Sequence, residues 1–522
     1  SYTGTPFSAD EMREWRDSTV ERILSLGPNR MLEIGCGTGL LLFAIAPEVR
    51  EYVATDFSPV SLEYIDRQVE QSTSLASVSL SQRMADDFSG FEPESFDLVV
   101  LNSVVQYFPD IDYLVRVLTG AVTLVRPGGH VFIGDVRSLP LLKALKSSVH
   151  LERAAAGDRI SDIKRSIEKS VADEEELVLD PEFFYAMRNM IWGVTRVEVK
   201  LKRGRHDNEL TRFRYDVVLE LKKEDLTVSQ SNEREQLDWR VDGLTLNKLS
   251  EVLASARGQV HIASVPNARV LRSVHAVELL AESDGGTARD LRELLEVPEE
   301  IGIDPEEICS LANKYGYDAE IYLPAAGEPE CFNVALVEAG TTFDLPVLEG
   351  QALRPLRDYA NNPLRKSLAD KLGPQLRDDL ASKLPDYMVP SSFVVMNSLP
   401  LAPNGKVDRR ALPAPDAFSF EQISNFQPCR TATEKQLAKI WAEALGIQRV
   451  GIWDNFFDLG GHSLMVAQVA SRVRDAFSIE LPLAVVFERP TVAELGECVD
   501  GILRVQHSAQ TMYESDEEIG EI

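Results

Sequence analysis

Gly35, Gly37 and Gly39 follow the apolar run RMLEI in the stretch LEIGCGTG. Glycines at that spacing let a ligand approach the backbone closely, and the helix expected next begins with unpaired N–H groups. Asp56 ends the following apolar run, EYVATD, where a carboxylate can accept hydrogen bonds from both hydroxyls of a ribose. Nicotinamide and flavin nucleotides stay open on this reading, although the fingerprint is GxGxG and not the longer GxGxxG. A second centre of chemistry is Ser463 in DNFFDLGGHSL, where Gly460 and Gly461 free the chain just before a helical pattern. Its hydroxyl is placed for covalent modification or, alternatively, for service as a helix N-cap.

Ligands of folds that alternate strands and helices gather at the carboxyl ends of the strands, which singles out four more residues. They are Asn102 in VVLNS, Tyr107 in VVQYF, and Asp135 with Arg137 in IGDVRS. The plainer alternatives are a Tyr107 ring that caps the core and an Asp135–Arg137 ion pair that fixes a loop. His206, in the polar stretch RGRHDNEL, reads as a solvated loop residue, and His130 as the entry to a strand. Trp192, Phe183, Phe184 and Tyr185 read as cover for a helix face.

The elements that must position these groups alternate strand with helix. RMLEI, EYVATD, residues 78–84, FDLVVLN and RPGGHVFIGDV read as strands, and the unbroken apolar run of FDLVVLN suits an interior parallel strand. Helices are expected from Pro59 to about Gln71, over 111–124 and in DPEFFYAMRNMIWG. TRVEVKLKRG and LTRFRYDVVLEL alternate polar with apolar residues and suit an antiparallel edge. Further helices are expected at 245–256, 289–296 and 304–314, and strands near 317–323 and 331–338. Residues 341–425 are rich in turn formers and end in a linker-like stretch, after which TATEKQLAKIWAEALG, LMVAQVASRVRDAF and TVAELGECVDGILR form a helical bundle.

Composition bounds the rest. With 522 residues the chain is long enough for several domains, and 44% hydrophobic with 26% charged residues is the balance of a globular protein. A net charge of −29 argues against broad contact with nucleic acid. The five cysteines are scattered without a CxxC pair, so neither a metal site nor a disulfide framework is expected. No apolar run reaches membrane-spanning length, and a cytoplasmic location is the expectation. The start, without Met, reads as that of an excised piece of something longer.

Taken with LNSVVQYFPDIDYL, VFIGDVRSLPL, LVLDPEFF and LKRGRHDNELTRFRYDVVLEL, the run Glu33-Ile34-Gly35-Cys36-Gly37-Thr38-Gly39 resembles the first motif of a class I methyltransferase that uses S-adenosylmethionine. The whole of this part resembles the N-methyltransferase domain inserted into adenylation domains of nonribosomal peptide synthetases. The resemblance implies a Rossmann-like sheet, a cofactor ribose held by Asp56, an adenine near Asp86 or its neighbour Asp87, and a glycine loop beside the methionine part. Glu33 and Asn102 join the cofactor set, and Asp135, Tyr107 and Arg137 face the acceptor. LGGHSL resembles the attachment motif of a peptidyl carrier domain, which implies 4'-phosphopantetheine on Ser463 placed there by a phosphopantetheinyl transferase. PNGKVDRRAL resembles the end of an adenylation C-terminal subdomain, with Lys406 as that family's lysine, but the large activating domain is not expected here.

The expected architecture is multidomain, α/β and all-α. It comprises a methyltransferase core over 1–222, an accessory lobe over 223–345, a small α+β adenylation remnant over 346–412 and a linker over 413–429. A four-helix carrier bundle over 430–505 and an acidic flexible tail over 506–522 complete it. The implied reaction is N-methylation of the α-amino group of an aminoacyl thioester on the carrier, with adjacent synthetase domains as partners and neither nucleic acid nor membrane. O- or C-methylation of a carrier-bound acyl group, and a non-catalytic carrier and docking module, are the alternatives.

Overall fold

The computed structural model describes residues 6–222, 234–256, 258–283, 285–296, 302–325, 327–340, 354–385, 388–390, 393, 399, 406–409, 412, 427–445, 449–456, 459, 463–482, 485–486 and 489–517. Contacts divide the chain into two units, Ser1–Leu364 and Arg365–Ile522.

The first unit is built on one sheet. Its strands are β1 (Arg30–Ile34), β2 (Glu51–Asp56), β3 (Val78–Gln82), β4 (Phe96–Asn102), β5 (Val125–Arg137), β6 (Val194–Leu201), β7 (Arg214–Leu221), β8 (Arg234–Asp238), β9 (Gln259–Pro266), β10 (Tyr317–Tyr322) and β11 (Cys331–Glu338). They lie in the order β3-β2-β1-β4-β5-β7-β6-β10-β11-β9-β8. Strands β1 to β5 pair in parallel, and β7 runs antiparallel between β5 and β6. All seven residues of β4 are buried, as its apolar run requires of a strand covered on both faces.

Alternation along the strands divides the core. Leu32, Val99, Leu101, Val131 and Ile133 meet the helix Ile111–Leu124 and the aromatic pair Phe183 and Phe184 on one face. Met31, Tyr52, Leu98, Val100 and Phe132 meet Ile23, Leu42, Ile45, Leu62 and Ile65 on the other. Each such side chain contributes about 1.5–3 kcal/mol through burial. The helix Ile111–Leu124 is started by Asp110, whose carboxylate accepts the Tyr113 N–H at 2.7 Å. Ser58 caps the helix Pro59–Glu70 in the same way.

Four differences from the sequence reading have physical reasons. First, β6 and β7 are interior, because β6 goes on to meet β10 through the pair Tyr322 with Lys200. The sheet therefore runs on through the strands of the expected accessory lobe. Second, helices at Ala9–Ser25, Leu142–Arg153, Ile160–Ala172 and Ala268–Glu282 and the strand β9 fall in segments where no element was expected. Their outer faces are charged, and the apolar stripe of Leu151, Ile160, Ile163 and Ile167 closes against Ala276 and Leu280 only in the folded chain. Third, the helix after the glycines is short, Leu42–Ile45, and turns tighter at Ala46–Glu48, where Pro47 lacks the N–H a longer helix needs. Fourth, Phe183 and Phe184 are buried, but Trp192 is 94% exposed and covers nothing.

In the second unit Ala432–Leu445, Ser463–Phe477 and Val492–Glu517 are helices. Leu437, Trp441, Phe456, Val466, Val469, Val473, Leu495 and Val499 form their common core, with the Trp441 and Phe456 rings edge to face at 5.0 Å. The last helix continues to Glu517 into the stretch expected to be a flexible tail, because no Pro or Gly interrupts the chain between Gly501 and Gly520. Arg365–Ala381 is also helical, with Pro374 inside it, in a segment where turns were expected. Most of the expected adenylation turn and strand sequence, and the linker up to residue 426, lies outside the described residues. Among the described residues no helix is long and apolar enough to cross a membrane, and no cluster of His, Cys, Asp and Glu is arranged to hold a metal.

Trp441 is fully buried, so Trp441→Ala leaves a cavity expected to cost about 3–5 kcal/mol. Hydrogen exchange of the whole chain in increasing urea should show Ala432–Leu445 and Ser463–Phe477 losing protection early, with β1 to β5 unaffected.

Candidate active site

The glycine turn leaves β1 at the carboxyl edge of the parallel strands. Gly35, Gly37 and Gly39 all have positive φ, at 78°, 53° and 82°. A Cβ on Gly35 would stand 2.5 Å from Val104, whereas one on Gly37 would meet nothing within 4 Å. The turn is thus closed on its inner side and open at Gly37. Gly35 and Cys36 donate their N–H groups to the Thr55 carbonyl at 2.7 and 3.0 Å. Asp56, at the end of β2, accepts from the Gly37 N–H at 2.8 Å through one carboxylate oxygen and from the Ser58 N–H at 2.8 Å through the other. It ties the glycine turn to the next helix while each oxygen keeps a lone pair.

Glu33 lies beneath this turn, buried, with its carboxylate accepting the Tyr52 hydroxyl at 2.7 Å. Burial raises its pKa, the Tyr52 bond opposes the rise, and nearby Asp56 adds to it, with the result at about 7. Asn102 ends β4. Its Nδ2 donates to Ser103 Oγ at 3.3 Å, while Oδ1 is buried without a donor. A Cβ on Gly134 would lie 2.1 Å from that oxygen, so glycine on β5 makes room for it. The expected adenine carboxylates stand at the outer end of the edge. Asp86 accepts the Tyr113 hydroxyl at 3.0 Å, and Asp87 is held below the usual carboxylate range by Ser89.

The acceptor-side residues part company. Asp135 is buried with φ +65°, and both its oxygens are engaged. Trp15 Nε1 donates to Oδ1 at 3.1 Å and Ser103 Oγ to Oδ2 at 2.8 Å, Arg214 pairs with Oδ2, and Lys202 Nζ lies 3.9 Å from Oδ1. Burial alone would raise the Asp135 pKa, but Arg214, Lys202 and these hydrogen bonds together hold it below the usual range. Arg137 is buried against Glu174 at 2.9 Å and Glu176 at 2.7 Å, and together with Lys146 it draws the Glu174 pKa down to about 2 against the effect of burial. Tyr107 is 73% exposed on the turn after β4, so its ring does not cap the core. His206 bonds Glu14 at 2.7 Å, tying its loop to the first helix, and His130 lies within β5 and not at its entry.

Sequence reasoning missed the partners that complete this edge. Asp216 accepts from Lys202 at 3.0 Å, from Arg22 at 2.6 Å and from the Asp135 N–H at 2.8 Å, and Lys202 also donates to Thr19 at 3.2 Å. The available signal was the charge placed within or just after a strand, as at Asp216 in RYDVVLEL and Lys202 at the end of VEVKLK. In the second unit Ser463 is the first residue of the helix Ser463–Phe477, and Gly460, Gly461 and His462 lie outside the described residues. Lys406 is exposed.

Residues 32–131 match the family described as a methyltransferase domain, and residues 435–499 match the phosphopantetheine attachment site. The chain therefore carries a methyltransferase domain together with a peptidyl carrier domain. It is 41% identical over 531 residues to chondramide synthase cmdD of Chondromyces crocatus, across 97% of this chain and 13% of that protein. It is 36% identical over 504 residues to the probable non-canonical nonribosomal peptide synthetase CymA of Salinispora arenicola, across 95% of this chain and 6% of that one. The chain spans about 13% and 6% of the length of those two relatives. A chain of the solved complex of the phosphopantetheine transferase Sfp with coenzyme A and a peptidyl carrier protein is 42% identical, covering 15% of this chain and 97% of that chain, with a TM-score of 0.14.

The Glu33 proton gives a signed pH dependence. Its folded pKa of about 7 lies above the ordinary 4.5, so the folded state holds the proton more tightly. That stabilisation is fully present below pH 4.5 and lost as pH rises through 7, a decline on the order of 3 kcal/mol at 1.36 kcal/mol per unit. Unfolding of the first unit at pH 5 and pH 8 should show Glu33→Gln gaining stability relative to the unsubstituted chain at the higher pH.

Proposed function

We propose that the first unit transfers the methyl group of S-adenosylmethionine to the α-amino nitrogen of an aminoacyl thioester held by phosphopantetheine on Ser463. The observation that carries this reading is the glycine turn tied to Asp56 in the same chain as a phosphopantetheine attachment domain. The similarity to nonribosomal peptide synthetases supports an aminoacyl acceptor. When bound, S-adenosylmethionine supplies a methyl group made transferable by a positively charged sulfur.

The residues present fit that cofactor. Asp56 keeps lone pairs for two ribose hydroxyls, the space over Gly37 admits the methionine part, and the buried Asn102 Oδ1 lacks a donor that a ligand can provide. Glu33 supports the turn from below, and Asp86, with Asp87 beside it, borders the adenine end. Asp135 and Arg137 act by position, since their charges are satisfied within the protein, and exposed Tyr107 borders the acceptor. An α-amino group has a pKa near roughly 8, so an appreciable neutral fraction exists without a strong base, and placement behind the methyl supplies much of the catalysis.

Ser463 carries the arm, a phosphopantetheinyl transferase attaches it, and neighbouring synthetase domains deliver and take up the acyl group. Residues 346–412 serve as the end of an adenylation subdomain that carries that family's lysine at Lys406, and 413–429 links it to the carrier. Labelled S-adenosylmethionine given to the chain loaded with an aminoacyl group should yield the mono-N-methyl amine, located by fragmentation of the released product. A methyl on carbon or oxygen would reject the reading.

Asp56→Ala should weaken S-adenosylmethionine binding by at least tenfold in calorimetry while the far-ultraviolet circular dichroism is unchanged; equal affinity would remove Asp56 from the ribose site. Ser463→Ala should block the addition of one phosphopantetheine from coenzyme A, read by intact mass, and leave S-adenosylmethionine affinity as it was.

A further inference from the structure

A cleft of about 300 Å³ lies beside the candidate active site, over the ends of β5, β7, β6 and β10. Leu141, Phe213 and Leu323 supply apolar wall, and Arg214, at the start of β7, reaches from the cleft to Asp135. Neighbouring strands lie roughly 4.8 Å apart, so with the order β1-β4-β5 the cleft begins about 10 Å along the edge from the glycine turn. Its walls are fixed in advance. The Tyr185 hydroxyl donates to the Leu323 carbonyl at 2.5 Å, Leu323 N–H donates to Val199 at 2.8 Å, and Ser138 N–H donates to Phe213 at 3.0 Å.

Each charged side chain of the cleft already has a partner within the protein, with Asp180 and Glu182 sharing one guanidinium. Arg214 is held by Asp135, Arg212 by Asp207 at 2.6 Å, Asp180 and Glu182 by Arg354 at 2.7 and 2.5 Å, and Glu328 by Arg240. A charged guest would need to break one of these pairs or go without a counter-ion, whereas an uncharged guest displaces only water from apolar wall. We infer that this cleft receives the side chain of the acceptor aminoacyl group and selects an uncharged, apolar one. The inference rests on the proposed methyl transfer and adds its substrate class.

The test uses the whole chain, with Ser463 loaded from phenylalanyl-, alanyl- or lysyl-coenzyme A by a phosphopantetheinyl transferase, and follows single-turnover transfer from saturating labelled S-adenosylmethionine. The phenylalanyl group should react at least tenfold faster than the lysyl group. Ala325 lies in the loop that borders the cleft, so Ala325→Trp should cut the phenylalanyl-to-alanyl rate ratio at least tenfold and Ala325→Leu by an intermediate factor, with S-adenosylmethionine affinity by calorimetry unchanged. A lysyl group reacting as fast as phenylalanyl, or a ratio that ignores both substitutions while the unsubstituted chain is active, would overturn the cleft assignment alone. Failure of the unsubstituted chain to methylate any of the three would overturn the transfer reaction and this inference with it.

Discussion

Asp135 is the point on which the edge of the sheet is hung. Its backbone stands at positive φ, a conformation a non-glycine residue keeps only when its surroundings impose it. Here Ser103, just after β4 and also at positive φ, imposes it by donating its N–H to the Gly134 carbonyl and its hydroxyl to Asp135. Trp15 from the first helix, Arg214 from β7 and Lys202 after β6 add the remaining constraints. With Asp216 and Arg22 the cluster holds two carboxylates and three cations, and removing one partner from so buried a set strands charge at a cost of about 3–5 kcal/mol. The ends of β4 and β5 are thereby set, and through Val104 against Gly35 so is the glycine turn.

The same cluster fastens the later part of the chain to the site. Arg269, at the start of the helix Ala268–Glu282, donates to the carbonyls of Lys202 at 3.3 Å and Gly204 at 2.6 Å and pairs with Asp304. Arg203, next to Lys202, pairs with Glu306 at 2.6 Å. One face of the loop after β6 thus holds β10, β11 and β9 in the sheet, although β10 meets β6 through a single residue pair. Side-chain charge takes over where the backbone ladder is thin.

What was legible in the sequence follows from the range of the forces involved. β4 and the helix Ile111–Leu124 showed in FDLVVLN and in a helical stripe because both are set by local apolar period and an N-cap. The glycine turn and Asp56 were readable because positive φ and a strand-end carboxylate leave residue types behind them. The partners of Asp135 left no such trace: Trp15, Ser103, Lys202 and Arg214 are spread over some 200 positions, and nothing local says that they converge. The Glu174 and Glu176 partners of Arg137 left no trace for the same reason, since they arrive from a distant segment.

For the proposed reaction this distribution of charge has a consequence. A strong base at the acceptor side would need a carboxylate free of cations, and Asp135, Glu174 and Asp216 are each neutralised by arginine or lysine. In the proposed reaction none of these three serves as the base; solvent provides neutral amine near neutral pH, and the protein's part is to hold the nitrogen in line. Tethering serves the same end, because an acyl group on a flexible arm in the same chain meets the edge at a high effective concentration, provided the arm can reach it. A site with its charges locked and its substrate tethered gains rate from geometry, and the rigidity given to Asp135 and the glycine turn is what such a site needs.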